Sequence, residues 1–299
     1  MIATTLLCLL LILLSHRFGY DARLYYWFQM NQHAEGWQGR SVWLPDYRVD
    51  IEARPVDGIG DNLSGLAYDP HRGHLWSVVN APTVLIALTL SGDVIARYPL
   101  EGFKDVEAVA YMGPNQLLVV EERRQTLVVI DLPEAEGPLQ RDGYPFLTLE
   151  LFSPDNNEFE GATYDPVRDR LYLAKERKPL RLYEIDGLQR SLGSNLALSI
   201  RDITASLGRR VFATDLSSVA FEPHRGHLIL LSDESKLMIE LSEEGEFVSF
   251  ASLARGFSGL SRGIPQAEGV AMDHEGHLYI VSEPNLFYRF EKRSEVPSG

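Results

Sequence analysis

Five similar units of short apolar strands and turns follow one another along most of the chain. Each unit opens with a strand in which small and apolar residues precede Tyr, Phe or Met. The first strands read Leu63-Ser-Gly-Leu-Ala-Tyr-Asp, Val106-Glu-Ala-Val-Ala-Tyr, Phe159-Glu-Gly-Ala-Thr-Tyr-Asp, Leu216-Ser-Ser-Val-Ala-Phe-Glu and Ala267-Glu-Gly-Val-Ala-Met-Asp. A turn and two further apolar runs follow each of them. Equivalent positions are 43, 53, 57 and 51 residues apart, which is the size of a propeller blade.

The fifth unit needs a fourth strand from elsewhere, because the chain after Phe290 is charged and soon ends. Residues Tyr47 to Arg54 alternate apolar and polar side chains, as a strand with one solvated face does. We therefore predict an all-β fold, a β-propeller of five four-stranded blades over residues 47–292, in which this N-terminal strand closes the last blade. A sixth, degenerate blade within 133–157 or 187–213 is the alternative.

The N-terminus carries a different signal. Residues 1–14 are apolar apart from two threonines, and Arg17 follows without a small-x-small cleavage site. A helix of this length spans about 21 Å, less than a bilayer core of roughly 30 Å, so the run resembles a signal-peptide segment that stays uncleaved. We expect residues 1–20 to be a signal anchor, residues 21–46 a spacer and residues 293–299 a disordered tail.

An aromatic run, Tyr25-Tyr-Trp-Phe, follows the predicted anchor. Such residues suit a membrane interface, and packing on the domain is the alternative. The anchor would hold the protein in a membrane.

Charge and cysteine content exclude several classes of function. The 299 residues include 28 Lys and Arg against 42 Asp and Glu, a net charge of −14, which argues against a nucleic-acid partner. Cys8 is the only cysteine, so neither an intramolecular disulfide nor a cysteine-based zinc site can form. Cations are the more natural partners of such a chain.

Polar side chains recur at the start of every first strand and at the end of every second strand. Because these ends meet at one face of a propeller, the two sets should surround one mouth of the channel. At the first strands they are Asn62 and Ser64, Asp105 and Glu107, Glu158 and Glu160, Asp215 and Ser217, and Gln266 and Glu268. At the second strands they are Asn80, Glu122, Glu176, Asp233 and Glu283.

Carboxylates in such a mouth repel one another, by roughly 3 kcal/mol for two of them ~5 Å apart at an effective dielectric of ~20. Protonation, neighbouring basic residues or a divalent cation could relieve this repulsion. Oxygen ligands in a roomy ring favour Ca²⁺. We expect a calcium site formed by some of Glu107, Glu160 and Glu268 on the first strands with Glu122, Glu176 and Glu283. The alternative is a structural role, in which these residues bond backbone N–H groups.

Three His-x-x-His pairs superficially suggest a second metal site. They are His71/His74, His224/His227 and His274/His277. Each pair spans the turn between the first two strands, where other units have Arg170 or Gln116, so we interpret them as structural.

The strand motifs and the N-terminal apolar segment together resemble the SdiA-regulated domain family of bacterial YjiK-like proteins. The resemblance covers about 245 residues from Tyr47 onward. It implies a β-propeller in a bacterial cell envelope, anchored in the cytoplasmic membrane by the N-terminal segment and facing the periplasm. It carries no established activity and no catalytic residue.

Two hypotheses of function follow. In the first, the propeller binds an unknown ligand or envelope partner at its acidic mouth. In the second, the cation is a Lewis acid in the hydrolysis of esters, lactones or phosphoesters.

Overall fold

The first strands of the five repeated units lie side by side around a central channel. The structure is a computed structural model, and it describes residues 19–151, 159–177, 179–192, 195–204 and 213–293. Within these residues the strands form five sheets, so the predicted five-bladed β-propeller is confirmed.

Each sheet is a blade whose innermost strand borders the channel. The strand that comes first in the chain is β1 (Tyr47–Pro55). Blade 1 contains β2 (Leu63–Asp69), β3 (His74–Val79), β4 (Val84–Leu88) and β5 (Val94–Glu101). Blade 2 contains β6 (Val106–Gly113), β7 (Gln116–Glu121), β8 (Thr126–Asp131) and, after β9 (Leu139–Gln140), the outer strand β10 (Phe146–Thr148).

The remaining blades follow the same order. Blade 3 contains β11 (Phe159–Asp165), β12 (Arg170–Lys175), β13 (Arg181–Asp186) and β14 (Ser199–Asp202). Blade 4 contains β15 (Ser218–Glu222), β16 (His227–Ser232), β17 (Leu237–Leu241) and β18 (Phe247–Ser252). Blade 5 contains β19 (Gln266–Met272), β20 (Leu278–Glu283), β21 (Leu286–Lys292) and β1.

Strand β1 closes the ring as predicted. It pairs antiparallel with β21, with Tyr47 opposite Lys292 and Val49 opposite Phe290. Closure covers the edge that blade 5 would otherwise expose. The six-blade alternative is wrong, because the described parts of 133–157 and 187–213 form outer strands of existing blades and a short helix.

One strand was not expected. Strand β9 pairs in parallel with β5, with Leu100 opposite Leu139, and so extends blade 1 to five strands. The chain therefore leaves blade 2 after β8, pairs with blade 1 through β9 and returns to blade 2 as β10.

The core lies between the blades. The apolar faces of adjacent sheets pack against each other, as Val78 of blade 1 and Val119 of blade 2 do in one fully buried cluster. Equivalent clusters lie at the other four blade boundaries.

The turns between first and second strands explain the histidine pairs. Asp69 Oδ1 accepts hydrogen bonds from the backbone N–H groups of His71 and Arg72, at 2.9 and 3.0 Å. Asp165 and Glu222 accept the same two bonds in their own turns. Such side-chain bonds stabilise tight turns.

In two of the pairs the second histidine also bonds within its own blade. Nδ1 of His227 lies 2.7 Å from Glu240 Oε1, and Nδ1 of His277 lies 2.9 Å from Asp273 Oδ2. These contacts support the structural interpretation of the pairs.

A helix occupies much of the predicted spacer. Helix α1 (Tyr20–Trp37) packs along β18 of blade 4. The ring of Tyr26 is fully buried, 5.1 Å from Phe247 and 5.6 Å from Phe250. The neighbouring Trp27 and Phe28 are 55% and 56% exposed, so the aromatic run divides between a packed residue and exposed ones.

The chain after α1 is bonded to the same blade. The backbone N–H groups of Val42 and Trp43 donate to the carboxylate of Glu240, at 2.8 and 3.0 Å. Glu240 is fully buried and also accepts from Ser249 Oγ at 2.6 Å. The path from α1 to β1 is thus fixed on blade 4.

The predicted anchor, residues 1–20, and the predicted tail, residues 293–299, lie almost wholly outside the described residues. Within the described part, no helix combines the length and the apolar character needed to cross a membrane.

Candidate metal centre

The site is built where the first strands begin, and each of three blades places a glutamate at a break in the strand ladder. In blade 2, Val106 pairs with Glu121 and Ala108 with Val120, which leaves Glu107 between them without a partner. Glu160 and Glu268 occupy the same position in blades 3 and 5. A β-bulge of this kind re-aims the side chain of the extra residue.

The backbones of neighbouring first strands come very close beside these bulges. A Cβ atom on Gly269 would lie 2.8 Å from the carbonyl carbon of Gly65, and one on Gly65 would lie 2.9 Å from Cα of Ala108. Only glycine permits this approach. The Ser-Gly and Glu-Gly pairs in the repeats therefore bring the bulged residues of adjacent blades together.

Three carboxylates converge at the boundary between blades 1 and 2. One oxygen from each of Asp105, Glu107 and Glu122 lies within 4.8 Å of the others. Asn80 Nδ2 joins them by donating to Glu107 Oε1 at 2.6 Å and to Asp105 Oδ1 at 3.1 Å. Among the described residues this is the one group of three acidic or histidine side chains with the spacing of a metal site.

Asp105 reaches the group from a left-handed backbone conformation. Its φ is 56°, and that of Asn62 at the equivalent place in blade 1 is 59°. Asn and Asp tolerate this conformation better than most residues. The polar residue here therefore precedes the strand, whereas the sequence interpretation placed it on the strand.

Burial raises the pKa values of several glutamates in the mouth. Burial, and then the charges of Glu122 and Asp105, raise the pKa of Glu107 to about 8. Burial raises the pKa of Glu268 to about 8 as well, helped by the charges of Asp233 and Glu283.

Glu160 lies among the other glutamates of the mouth. Burial raises its pKa well above the ordinary range, and the charges of Glu122, Glu107, Glu268 and Glu176 add to the shift. Burial also raises the pKa values of Glu176 and Glu283.

Basic side chains neutralise the rim of the mouth and not its centre. The ion pairs are Arg123–Asp105, with Nε 2.8 Å from Oδ2, Arg177–Glu176 and Lys236–Asp233. Glu107, Glu160 and Glu268 form no ion pair with a lysine or arginine in the described part of the chain. Repulsion among the three bulged glutamates is therefore expressed as raised pKa values and not as ion pairs.

The structure places the six predicted ligands at different distances from one another. Glu107 and Glu122 belong to the three-carboxylate group, and Asp105, which the sequence placed among the mouth residues but not among the ligands, completes it. The structure places Glu160, Glu268, Glu176 and Glu283 within electrostatic reach of one another or of this group. Glu158 lies outside the described residues.

Blade 4 follows the structural alternative. Asp215 is buried and accepts hydrogen bonds from the backbone N–H groups of Asp233 and Glu234, at 3.0 and 3.1 Å. Asp233 Oδ1 in turn accepts from Ala267 N at 2.9 Å. These two carboxylates stabilise loops of the mouth.

The chemistry of the three-carboxylate group is that of a hard-cation site. Carboxylate and amide oxygens are the ligands that calcium and magnesium prefer, and Asn80 could turn its carbonyl oxygen inward. Cation binding would displace the protons that the glutamates hold.

Fold and site together define a five-bladed β-propeller with an acidic channel mouth. The chain belongs to the SdiA-regulated family, whose profile matches residues 39–291.

Solved structures share the architecture. A luciferin-regenerating enzyme is similar at 11% identity and a TM-score of 0.52, over 81% of this chain and 95% of that one. A chain of a nidogen/laminin complex matches at 15% identity and a TM-score of 0.45, over 75% and 73%. The β-propeller domain of Cps50 (Swd1) from Myceliophteria thermophila matches at 12% and 0.43, over 77% and 65%. The likeness to the luciferin-regenerating enzyme concerns the fold alone.

Proposed function

We propose that this protein is a membrane-tethered, extracytoplasmic propeller that binds Ca²⁺ at its acidic mouth and holds a ligand or envelope partner there. The observation that carries the proposal is the convergence of Asp105, Glu107 and Glu122 within 4.8 Å. Asp105 and Glu107 are half-buried and Glu122 is buried. Carboxylates this close gain most from a cation in such surroundings, because water screens them poorly.

The bulged glutamates extend the site around the mouth. Glu160 and Glu268 belong to other blades, so a cation held at the boundary of blades 1 and 2 would leave them beside it and available to a second ligand. A ligand with its own cation, or with hydroxyl groups that donate to carboxylates, suits such a surface.

Membrane tethering rests on the sequence and on α1. The apolar residues 1–14 precede the helix in the sequence, with five residues between them. The helix exposes an apolar stripe formed by Tyr20, Leu24, Trp27 and Phe28, each of which is more than half exposed. Aromatic residues of this kind suit a membrane interface. The full chain should sediment with membranes, and double Trp27→Ser, Phe28→Ser substitution should weaken its binding to vesicles.

Titration calorimetry on the full chain tests calcium binding. We expect one Ca²⁺ per chain, at least tenfold weaker binding in Asp105→Asn and Glu107→Gln, and unchanged binding in Glu35→Gln, which removes the same charge from the exposed side of α1. Absence of binding, or equal binding by all variants, would contradict the proposal.

Hydrolysis of an ester, lactone or phosphoester is the second hypothesis from the sequence. It needs the same cation as a Lewis acid, so it depends on calcium binding and is tested after it.

A further inference from the structure

A cavity opens at the end of the channel opposite the acidic mouth, where the first strands end. It has a volume of about 250 Å³ and is bordered by all five blades. The side chains that follow the small residue of each repeat form its wall, and they are Tyr68, Tyr111, Tyr164, Phe221 and Met272. Four aromatic rings and a thioether thus occupy one equivalent position around the axis.

We propose that this cavity binds a small, uncharged, planar aromatic molecule that carries a hydrogen-bond acceptor. The site is separate from the acidic mouth and does not depend on calcium. Its size supports the class of ligand, because an apolar cavity of ~150 Å³ is known to bind benzene. A cavity of about 250 Å³ suits a bicyclic ring system.

One wall of the cavity is flat. The rings of Tyr68 and His274 stack at 5.8 Å with an angle of 26° between them, and the Tyr68 hydroxyl is hydrogen-bonded to His274 Nδ1. This bond holds the pair in place as a surface for an aromatic ring, since stacked and edge-to-face contacts between rings are favourable.

The acidic residues near the rim are bonded within their own turns or blades. Asp69, Asp165 and Glu222 each pair with the arginine three residues later. Asp273 accepts hydrogen bonds from the backbone N–H groups of Glu275 and His277 and from the hydroxyl of Tyr279. A neutral ligand is therefore favoured over an anion, which the net charge of −14 also repels.

The hydroxyl of Tyr111 indicates where the ligand should carry its hydrogen-bond acceptor. Tyr111 is half-buried, and its hydroxyl makes no hydrogen bond to any residue that the structure describes, although Tyr68 and Tyr164 both use theirs. A ligand acceptor near this hydroxyl would supply the missing partner.

Fluorine NMR on the full chain with 6-fluoroquinoline as probe tests the site. The probe is neutral and carries a ring-nitrogen acceptor, and 6-fluoroquinoline-4-carboxylate is the matched anion. We expect saturable binding of the neutral probe, equal in calcium and in chelator, and at least tenfold weaker binding of the anion. Partition into detergent or lipid is common to all samples and is subtracted.

Two variants localise the binding. Tyr111→Phe should weaken it about fivefold, as loss of one neutral hydrogen bond of ~1 kcal/mol does, whereas Tyr144→Phe outside the cavity should change nothing. Ala67→Leu fills the cavity and should abolish binding; should it fail to fold, Met272→Trp serves the same purpose. No saturable binding, or binding that is unchanged in both Tyr111→Phe and the filled variant, would overturn the proposal.

Discussion

Asn80 Nδ2 in blade 1 lies 2.6 Å from Glu107 Oε1 in blade 2, and this hydrogen bond joins two blades at the acidic mouth. The amide also donates to Asp105, so one neutral side chain holds two carboxylates. The mouth is therefore a link between blades as well as a candidate site.

Replacing this amide by a carboxylate should destabilise the mouth. Asn80→Asp removes both donated hydrogen bonds and adds a fourth carboxyl group to Asp105, Glu107 and Glu122. In chelator we expect its free energy of unfolding to fall by about 1–3 kcal/mol, measured by urea denaturation. Asn31→Asp on the exposed side of α1 is the control, and an equal change in both variants would argue against the link.

The raised pKa values predict a stability that depends on pH. The pKa of Glu107 is about 8 when folded, whereas an unfolded glutamate titrates near 4.5. Between these values the folded state binds more protons than the unfolded state, so stability falls as the pH rises from about 4.5 to 8. Glu268 acts in the same direction.

Melting temperatures in chelator between pH 5 and pH 8 measure this effect. Glu107→Gln and Glu268→Gln should each have a shallower pH slope than the wild type, and Glu35→Gln the same slope. If the wild-type slope persists in both mouth variants, other groups cause it.

The buried carboxylate of Glu240 should hold the segment between α1 and β1 on blade 4 and so contribute strongly to stability. Glu240→Leu would leave the N–H groups of Val42 and Trp43 without an acceptor, at about 1–3 kcal/mol for each unsatisfied donor. We expect a loss of roughly 2–5 kcal/mol in urea denaturation and faster proteolysis of residues 38–46. Glu243→Leu, on a half-exposed side chain nearby, should lose far less. Equal losses would mean that the bonds to Glu240 do not hold this segment.

Ring closure by β1 predicts a difference between two shortened chains. A chain that begins at residue 57 lacks β1 and leaves β21 as an open edge, whereas one that begins at residue 40 keeps both β1 and the bonds to Glu240. The shorter chain should melt lower and aggregate. Equal melting temperatures would contradict closure by this strand.

The sequence predicts the blades well because each repeats a strong pattern of turns and apolar runs. It does not reveal β9, which has only two residues and so no periodicity to read. It does not decide whether the aromatic run of α1 packs on the propeller or lies at a membrane, because the aromatic residues are consecutive and point to different sides of the helix. The packing of Tyr26 on Phe247 identifies the face that contacts the propeller.

The sequence predicts which residues surround the acidic mouth. It does not predict how their side chains are arranged. Spacing along strands brings Glu107 and Glu122 together, but the bulge at Glu107 and the left-handed conformation of Asp105 depend on the close approach of neighbouring backbones. Contacts between blades decide such details, and no local pattern records them.

Melting of wild type and Glu107→Gln in calcium and in chelator tests the central claim most directly. A bound ion raises stability by about 2.7 kcal/mol at a hundredfold excess over Kd, so calcium should raise the wild-type melting temperature. Glu107→Gln should lose that response and, in chelator, should melt higher than the wild type, because the variant avoids the cost of burying an ionisable carboxyl whose pKa is raised. A wild type indifferent to calcium, with a variant that melts lower in both conditions, would contradict the account.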